Sequence, residues 1–483
     1  MTGRSGSAAR WTTAVSAAAV LAVAAPSLGR MAVAPAPAGD SVFQAADPGA
    51  RQGGGGRRGG RGGGIGAAFF TAADANKDGS LTRSELRTTF DGWASAWDRG
   101  NAGSLASEQI RAGALSVFPP PTQNQTPNPA HVDAMIAALP DRAPAAPRQP
   151  RRVLVLGRST GFVHATIPLA ARTVEELGKK TGAWSTVITY DAADVNAANL
   201  SQFDAIFLAS TTGHFLDDAA SPAATAARRQ ALLDFVHSGN GLAGVHAASD
   251  SYHTGTATAE AGAGPGMAVA RALIARDTNR DGRLARLEFA AAADAWFDTL
   301  DAGRTGSIAQ ADFADRFQAL LDESAPARGG GGGGGGGGNA GTWPEWNRMM
   351  GGIFLAHPWP HVWVKIDDPD SPITAPFKGE PFEITDETYT FTRDSFSRDN
   401  VRVLLSIDVS RMTPEELKRE NRPWDHDYAL SWIRADGKGR VFYAAHGHEP
   451  RVYATRPMLE HYLAGIQYAL GDLEADARPR PLP

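Results

Sequence analysis

The chain has 483 residues, with 47 Lys and Arg against 52 Asp and Glu for a formal charge of −5. That length has room for roughly two to four domains, and that balance gives no bulk reason to expect nucleic-acid binding. Cysteine is absent, which excludes disulfides, thiolate metal sites, a cysteine nucleophile and a lipidated N-terminal Cys.

In chain order, residues 1–38 read as a signal peptide. Arg4 and Arg10 form a basic start, Trp11 to Ala25 is mostly apolar, and Ala34-Pro-Ala-Pro-Ala38 offers small-residue cleavage sites. The expected destination is outside the cytoplasm, periplasmic or extracellular. The apolar run is too short for a permanent membrane span, and no later segment is long enough. Residues 39–64 form a Gly/Arg-rich linker. Its Arg51, Arg57, Arg58 and Arg61 have no aromatic neighbours to stack on bases, so no nucleic-acid partner is expected.

Residues 65–117 hold the most specific pattern in the chain. Asp74, Asn76 and Asp78 place oxygen ligands at loop positions 1, 3 and 5, and Gly79 stands at the sharp turn of position 6. Ser80 offers its carbonyl at position 7, Thr82 stands at position 9, and Glu85 closes the loop with a bidentate carboxylate at position 12. Within residues 254–341 the pattern recurs as Asp277, Asn279, Asp281, Gly282, Arg283 (through its carbonyl) and Glu288. Both loops resemble Ca²⁺-binding EF-hands, implying about two Ca²⁺ ions per chain. Each is followed by a degraded copy. In the first, which begins at Asp98, Gly100, Ala102 and Gln109 replace ligands; the second begins at Asp301 and ends on the shorter Asp312. The copies read as folding partners of the complete loops they follow, giving two separate all-α pairs.

Residues 118–150 are a Pro-rich linker, and from 151 the grammar changes. Val153–Gly157, Thr186–Tyr190, Phe203–Leu208 and Leu242–Val245 are apolar runs without alternation, separated by helical stretches. That order predicts a parallel sheet covered on both faces across 151–253. Residues 254–341, with a poly-Gly tether from Gly329 to Gly338, read as an insertion. Sheet-forming sequence resumes over 342–474, before a tail at 475–483. There a helix at Trp346–Met350 precedes strands at Val362–Ile366, Thr388–Phe391, Val401–Ile407, Leu430–Ile433 and Val441–Ala445, then a closing helix at Met458–Leu470. These later strands are expected as antiparallel additions to the parallel core.

Open α/β sheets build their sites at the carboxyl ends of strands. Gly161-Phe-Val-His164 follows the first strand, and Gly244-Val-His246-Ala-Ala-Ser-Asp250-Ser-Tyr252 follows the fourth. Ala445-His446-Gly-His448-Glu449 follows the last, and Asp386-Glu387-Thr-Tyr389 lies between two added strands. Together with WPEWNRMMGGIFLAHP and SWIRADGKGRVFYAAHGH, these segments resemble the ThuA-like (trehalose-utilisation) family over about 151–253 and 342–472. The resemblance implies the α/β fold of class I glutamine amidotransferases, a flavodoxin-like, mostly parallel sheet with antiparallel additions. It implies His246, Asp250, His446, His448, Asp386 and Glu387 as catalytic candidates. It implies His164, His357, Tyr389 and Arg440 as substrate-binding ones. The implied ligand is a small-molecule carbohydrate, a keto-glycoside or disaccharide.

In that fold a cysteine follows the fourth strand; here His246 stands in its place, so thioester chemistry and glutaminase activity are excluded. Two chemistries remain open. Histidines and carboxylates can exchange protons near neutral pH, or the same groups can bind a divalent metal. His446 and His448 alternate along an extended segment, so only one of them is expected to face the site. Arg440 also reads as part of a hairpin turn, and Asp250 as a helix cap. The competing class is a non-enzymatic, Ca²⁺-dependent carbohydrate-binding or scaffold protein with a degenerate core, favoured by the insertion beside Tyr252. Nothing in the sequence sets an oligomeric state.

Overall fold

The computed structural model describes residues 63–254, 265–323 and 339–481. The leader 1–38, the linker up to residue 62 and the glycine tether 329–338 lie outside the described residues. The described chain begins with α1 (Gly63–Ala73), β1 (Ser80–Thr82), α2 (Arg83–Trp97), β2 (Ser104–Ala106) and α3 (Ser107–Val117), two helix–loop–helix units in succession. Thr82 and Glu85 form a reciprocal capping box that starts α2. Leu86, Phe90, Trp93, Ala94 and Trp97 then recur at helical spacing as its buried stripe.

α4 (Pro129–Ala138) carries Met135 into the core of the sheet domain. The sheet domain starts with β3 (Arg152–Leu156), α5 (Ile167–Thr181), β4 (Ser185–Thr189), α6 (Ala197–Leu200), β5 (Ala205–Ala209), α7 (Pro222–His237) and β6 (Gly241–Val245). The chain then leaves this domain. The amide of Thr254 donates to Ala340 O (2.9 Å) and that of Thr342 to Tyr252 O (2.7 Å), so both ends of the inserted segment meet at one point on the sheet domain.

The inserted segment supplies α8 (Pro265–Ile274), β7 (Arg283–Ala285), α9 (Arg286–Leu300), β8 (Ser307–Ala309) and α10 (Gln310–Glu323). Its short strands pair across the chain rather than with each other. β1 runs antiparallel to β8 with Leu81 opposite Ile308, and β2 to β7 with Leu105 opposite Leu284. The expected pairing of each complete loop with the copy that follows it is therefore corrected: the first loop pairs with the fourth, and the second with the third. The cause lies in the helices. Phe69 packs on Trp93 (5.4 Å) and on Phe317 (4.5 Å), and Phe90 on Trp296 (5.1 Å), so aromatics from both segments share one core. Arg87 reaches Asp294 at 2.6 Å along the same seam.

After the insertion come α11 (Pro344–Met350), β9 (Phe354–Ala356), β10 (His361–Ile366), β11 (Phe382–Thr385), β12 (Thr390–Phe391), β13 (Arg402–Ile407), α12 (Pro414–Leu417), β14 (Ala429–Asp436), β15 (Gly439–Ala444) and α13 (Arg456–Leu470). Nine strands form one sheet in the order β11-β10-β13-β14-β15-β6-β5-β3-β4. The five from β15 to β4 are parallel, and the rest are antiparallel. β15 was expected as an antiparallel addition. Instead its hairpin with β14 returns it alongside β6 as a fifth parallel strand, bringing its carboxyl end to the same rim as His246. The expected strand at Thr388–Phe391 is likewise shorter and outside the main sheet, since β12 pairs with β9.

Candidate functional site

β6 is buried along its whole length and ends at Val245. The next residue, His246, adopts φ 48°, the left-handed region that side chains with a Cβ rarely occupy. Such a conformation costs on the order of 1–3 kcal/mol and persists where surrounding contacts hold it. Here Tyr443 supplies the hold: its hydroxyl donates to His246 O (2.6 Å) and hydrogen-bonds Ser249 Oγ (2.7 Å). The His246 ring lies 3.0 Å from Ala445 O through Nδ1, which must carry the proton to donate there. In the neutral ring Nε2 is therefore left with its lone pair facing inward.

Three other groups converge on that nitrogen. His164 Nε2, from the loop after β3, lies 3.2 Å away, His448 Nδ1, from the loop after β15, 3.3 Å, and a Glu387 carboxylate oxygen 3.6 Å. Glu387 Oε2 also stands 3.1 Å from His448 Nδ1, and its Oε1 3.3 Å from His357 Nε2. One donor atom from each of His164, His246, Glu387 and His448 fits within 4.8 Å of all the others. Tyr389 covers the cluster, its ring 4.3 Å from that of His246. His164 and His246 are buried, whereas His448, Glu387 and His357 remain partly open, so the approach lies on their side.

Burial works to lower the His448 pKa, but the Glu387 carboxylate overrides it and pushes the value up to about 9. Burial works equally to raise Glu387, and His448 with His357 holds it well below the usual carboxylate range. These two groups form an imidazolium–carboxylate pair. Burial, with His246 and His448 beside it, keeps His164 well below its ordinary value and hence neutral.

The other candidates fall in different places. Asp386 does not face the cluster: its carboxylate accepts from Gly447 N (2.7 Å) and Glu449 N (2.8 Å), bracing the turn that presents His448. Gly447, at φ 134°, breaks the simple alternation between its neighbours, and a Cβ there would meet the Tyr453 hydroxyl at 2.6 Å. His446 is buried with neither ring nitrogen hydrogen-bonded, and burial lowers its pKa to about 4. Of the two alternating histidines, His448 is the one in the cluster. Asp250 pairs with His253 (2.6 Å) instead of joining it. Arg440 sits opposite Gly241 at the start of β6, a strand length of about 16 Å from His246, and is removed from the site. Sequence reading passed over His253 and Tyr443; the signal for Tyr443 was a hydroxyl inside an otherwise apolar strand. An open cleft of about 710 Å³ lies along Arg158, Tyr190 and Asp217 and contains none of the four clustered groups.

The acidic loops share one backbone. Gly79, Gly103, Gly282 and Gly306 all have φ between 74° and 83°, and the first Asp of each loop accepts that glycine's amide at 2.8–3.0 Å. Asn76 and Asp78 fold inward on Asp78 N and Ser80 N, as Asn279 and Asp281 do on Asp281 N and Arg283 N. Glu85 accepts from Thr82 N and Oγ1, and Glu288 from Ala285 N. The Arg283 side chain turns away to Ser104. One oxygen separates complete from degraded loops. Asp74 Oδ1 and Asp277 Oδ1 are buried without a hydrogen-bond partner. In the degraded loops the matching oxygen accepts from Ala102 N or Thr305 N (2.9 Å each). A buried carboxylate oxygen left free among other oxygens is what a hard cation requires.

Fold and site together define a mixed α/β protein with a histidine–carboxylate centre at the carboxyl rim of its sheet. The family model described as trehalose utilisation (ThuA) matches residues 152–280 and 301–469, over half the chain, and the chain belongs to that family. A ThuA domain suggests a carbohydrate-related function. Among solved structures, a ThuA-like protein of Bacteroides uniformis aligns at 16% identity over 68% of this chain and 94% of its own, with a TM-score of 0.37. One from Parabacteroides merdae aligns at 12% identity over 69% and 98%, with a TM-score of 0.35. With scores this low they add nothing to the family assignment. No curated protein matches the sequence. No helix among the described residues is long and apolar enough to cross a membrane.

Proposed function

We propose that this is an exported, calcium-binding ThuA-like protein that acts on a carbohydrate, a keto-glycoside or disaccharide, through the cluster at His246. The observation that carries the reading is the His448–Glu387 pair, 3.1 Å apart and adjoining His246 on its left-handed turn. The pair supplies an acid and a base of opposite charge beside the His246 imidazole, a combination suited to moving a proton to or from a sugar hydroxyl or carbonyl. The position of His246, after the strand that carries the nucleophile in class I amidotransferases, supports an amidotransferase-like core whose chemistry has passed from thiol to imidazole. The free oxygens of Asp74 and Asp277 support Ca²⁺ in the two complete loops, read as EF-hands. The basic, apolar and small-residue pattern of 1–38 supports export. The test is turnover of a panel of keto-glycosides and unmodified disaccharides by the full chain and by Glu387→Gln; activity indifferent to that substitution refutes the reading.

A further inference from the structure

We infer that His164, His246, His448 and Glu387 form a mononuclear binding site for a divalent transition metal of the zinc class. This rests on the reading of the same cluster as the functional site; a bound ion takes the place of the proton that His448 and Glu387 share in the metal-free chain.

The argument is one of distances and lone pairs. Zinc binds imidazole nitrogen at about 2.0–2.1 Å and carboxylate oxygen at about 2.0–2.2 Å, so the donors of a tetrahedral site stand roughly 3.3–3.5 Å apart. Four of the six separations here are 3.2, 3.3, 3.6 and 3.1 Å, and all six lie within 4.8 Å. They come from four side chains on three separate strand-end loops and the β11–β12 connection. With Nδ1 of His246 turned to Ala445 O, its Nε2 faces His164, His448 and Glu387 together. A cation at the centre would meet all four donors at once.

The surroundings have the form a metal site needs. Ala445 O fixes the His246 tautomer, His357 holds the second oxygen of Glu387, and Asp386 braces the turn carrying His448 through two backbone amides. Three nitrogens and one carboxylate select zinc-class ions over Ca²⁺, which prefers six to eight oxygens. The site is therefore distinct in chemistry from the acidic loops. The exposed part of the site is at His448 and Glu387, the side from which a fifth ligand, such as a sugar oxygen, would come.

The test uses the full chain, stripped with chelator, reloaded with Zn²⁺ or Co²⁺ in excess Ca²⁺, and desalted. Elemental analysis should find about one Zn²⁺ or Co²⁺ per chain, and the Co²⁺ form should show the intense visible absorption of a tetrahedral, nitrogen-rich site. Glu387→Gln and His164→Ala should lose most of that metal while Glu85→Gln/Glu288→Gln keeps it. Asp386→Asn, which removes a brace, should weaken binding by about 10–100-fold. A folded wild-type chain retaining no metal overturns the inference, as does full retention in folded Glu387→Gln or the pale spectrum of an octahedral oxygen site. Should the cluster variants fail to fold, the wild-type Co²⁺ spectrum decides alone. Sugar turnover by the stripped chain would sink the metal's catalytic part and leave the acid–base reading intact. A chain that loads one ion at this centre yet neither binds nor turns over any sugar would sink the functional reading instead and leave the metal site standing.

Discussion

Glu387 and His448 face each other across 3.1 Å, and the same carboxylate reaches His357 at 3.3 Å and His246 at 3.6 Å. A single acidic side chain thus joins three histidines from three stretches of sequence. Its charge explains why His448 titrates high despite burial.

The metal-free protein should show this in its pH dependence. His448 is raised from an ordinary 6.5 to about 9, so its contribution is complete below 6.5 and lost as pH rises through 9. Glu387 is depressed from an ordinary 4.5, so its contribution is present above that value and lost as pH falls through the lower folded one. Urea midpoints of the chelated chain should decline on the alkaline side, and Glu387→Gln should flatten that decline. An equal alkaline slope in both proteins would show that the pair contributes nothing.

Calcium should bind at two sites. Of the four aspartates that open the loops, Asp74 and Asp277 keep a free buried oxygen, and their two loops end on Glu. Calorimetry should give about two ions per chain, in the 10⁻⁴–10⁻³ M range of extracellular modules or tighter. Glu85→Gln and Glu288→Gln should each abolish one site. Four equal sites would contradict the role assigned to Asp98 and Asp301.

Deleting 256–340 should leave the sheet domain folded, because Thr342 already donates to Tyr252 O across the gap. It should also unfold α1 to α3 and remove the Ca²⁺ response of the first loop, since β1 and β2 lose the strands they pair with. Hydrogen exchange and Ca²⁺-dependent melting of the deletion check both. Full protection of Phe69 and Phe90 in the deletion would argue for an N-terminal pair that stands alone.

The acidic loops were legible in sequence because their ligands lie within a dozen residues and each position has its own chemistry. Their pairing was not, because Leu81, Leu105, Leu284 and Ile308 are interchangeable at the strand centre. The choice lies in contacts such as Phe90 with Trp296, which no local pattern encodes. Reading strand ends found His164, His246, His448 and Glu387, whose roles depend on topology. It could not separate Asp386 from Glu387, since adjacent carboxylates differ only in which way the backbone turns them. Arg440 misled because its motif lies at the opposite end of the strand from the rim.

The most direct measurement is the rate of keto-sugar conversion by His246→Ala and Glu387→Gln beside the wild type, with melting temperatures recorded on the same samples. A general acid–base role predicts a fall in kcat of about 10²–10⁴ in both folded variants, with a lowered melting temperature in Glu387→Gln, which loses its ion pair. An unaltered rate in either folded variant would contradict the placement of the chemistry at this cluster.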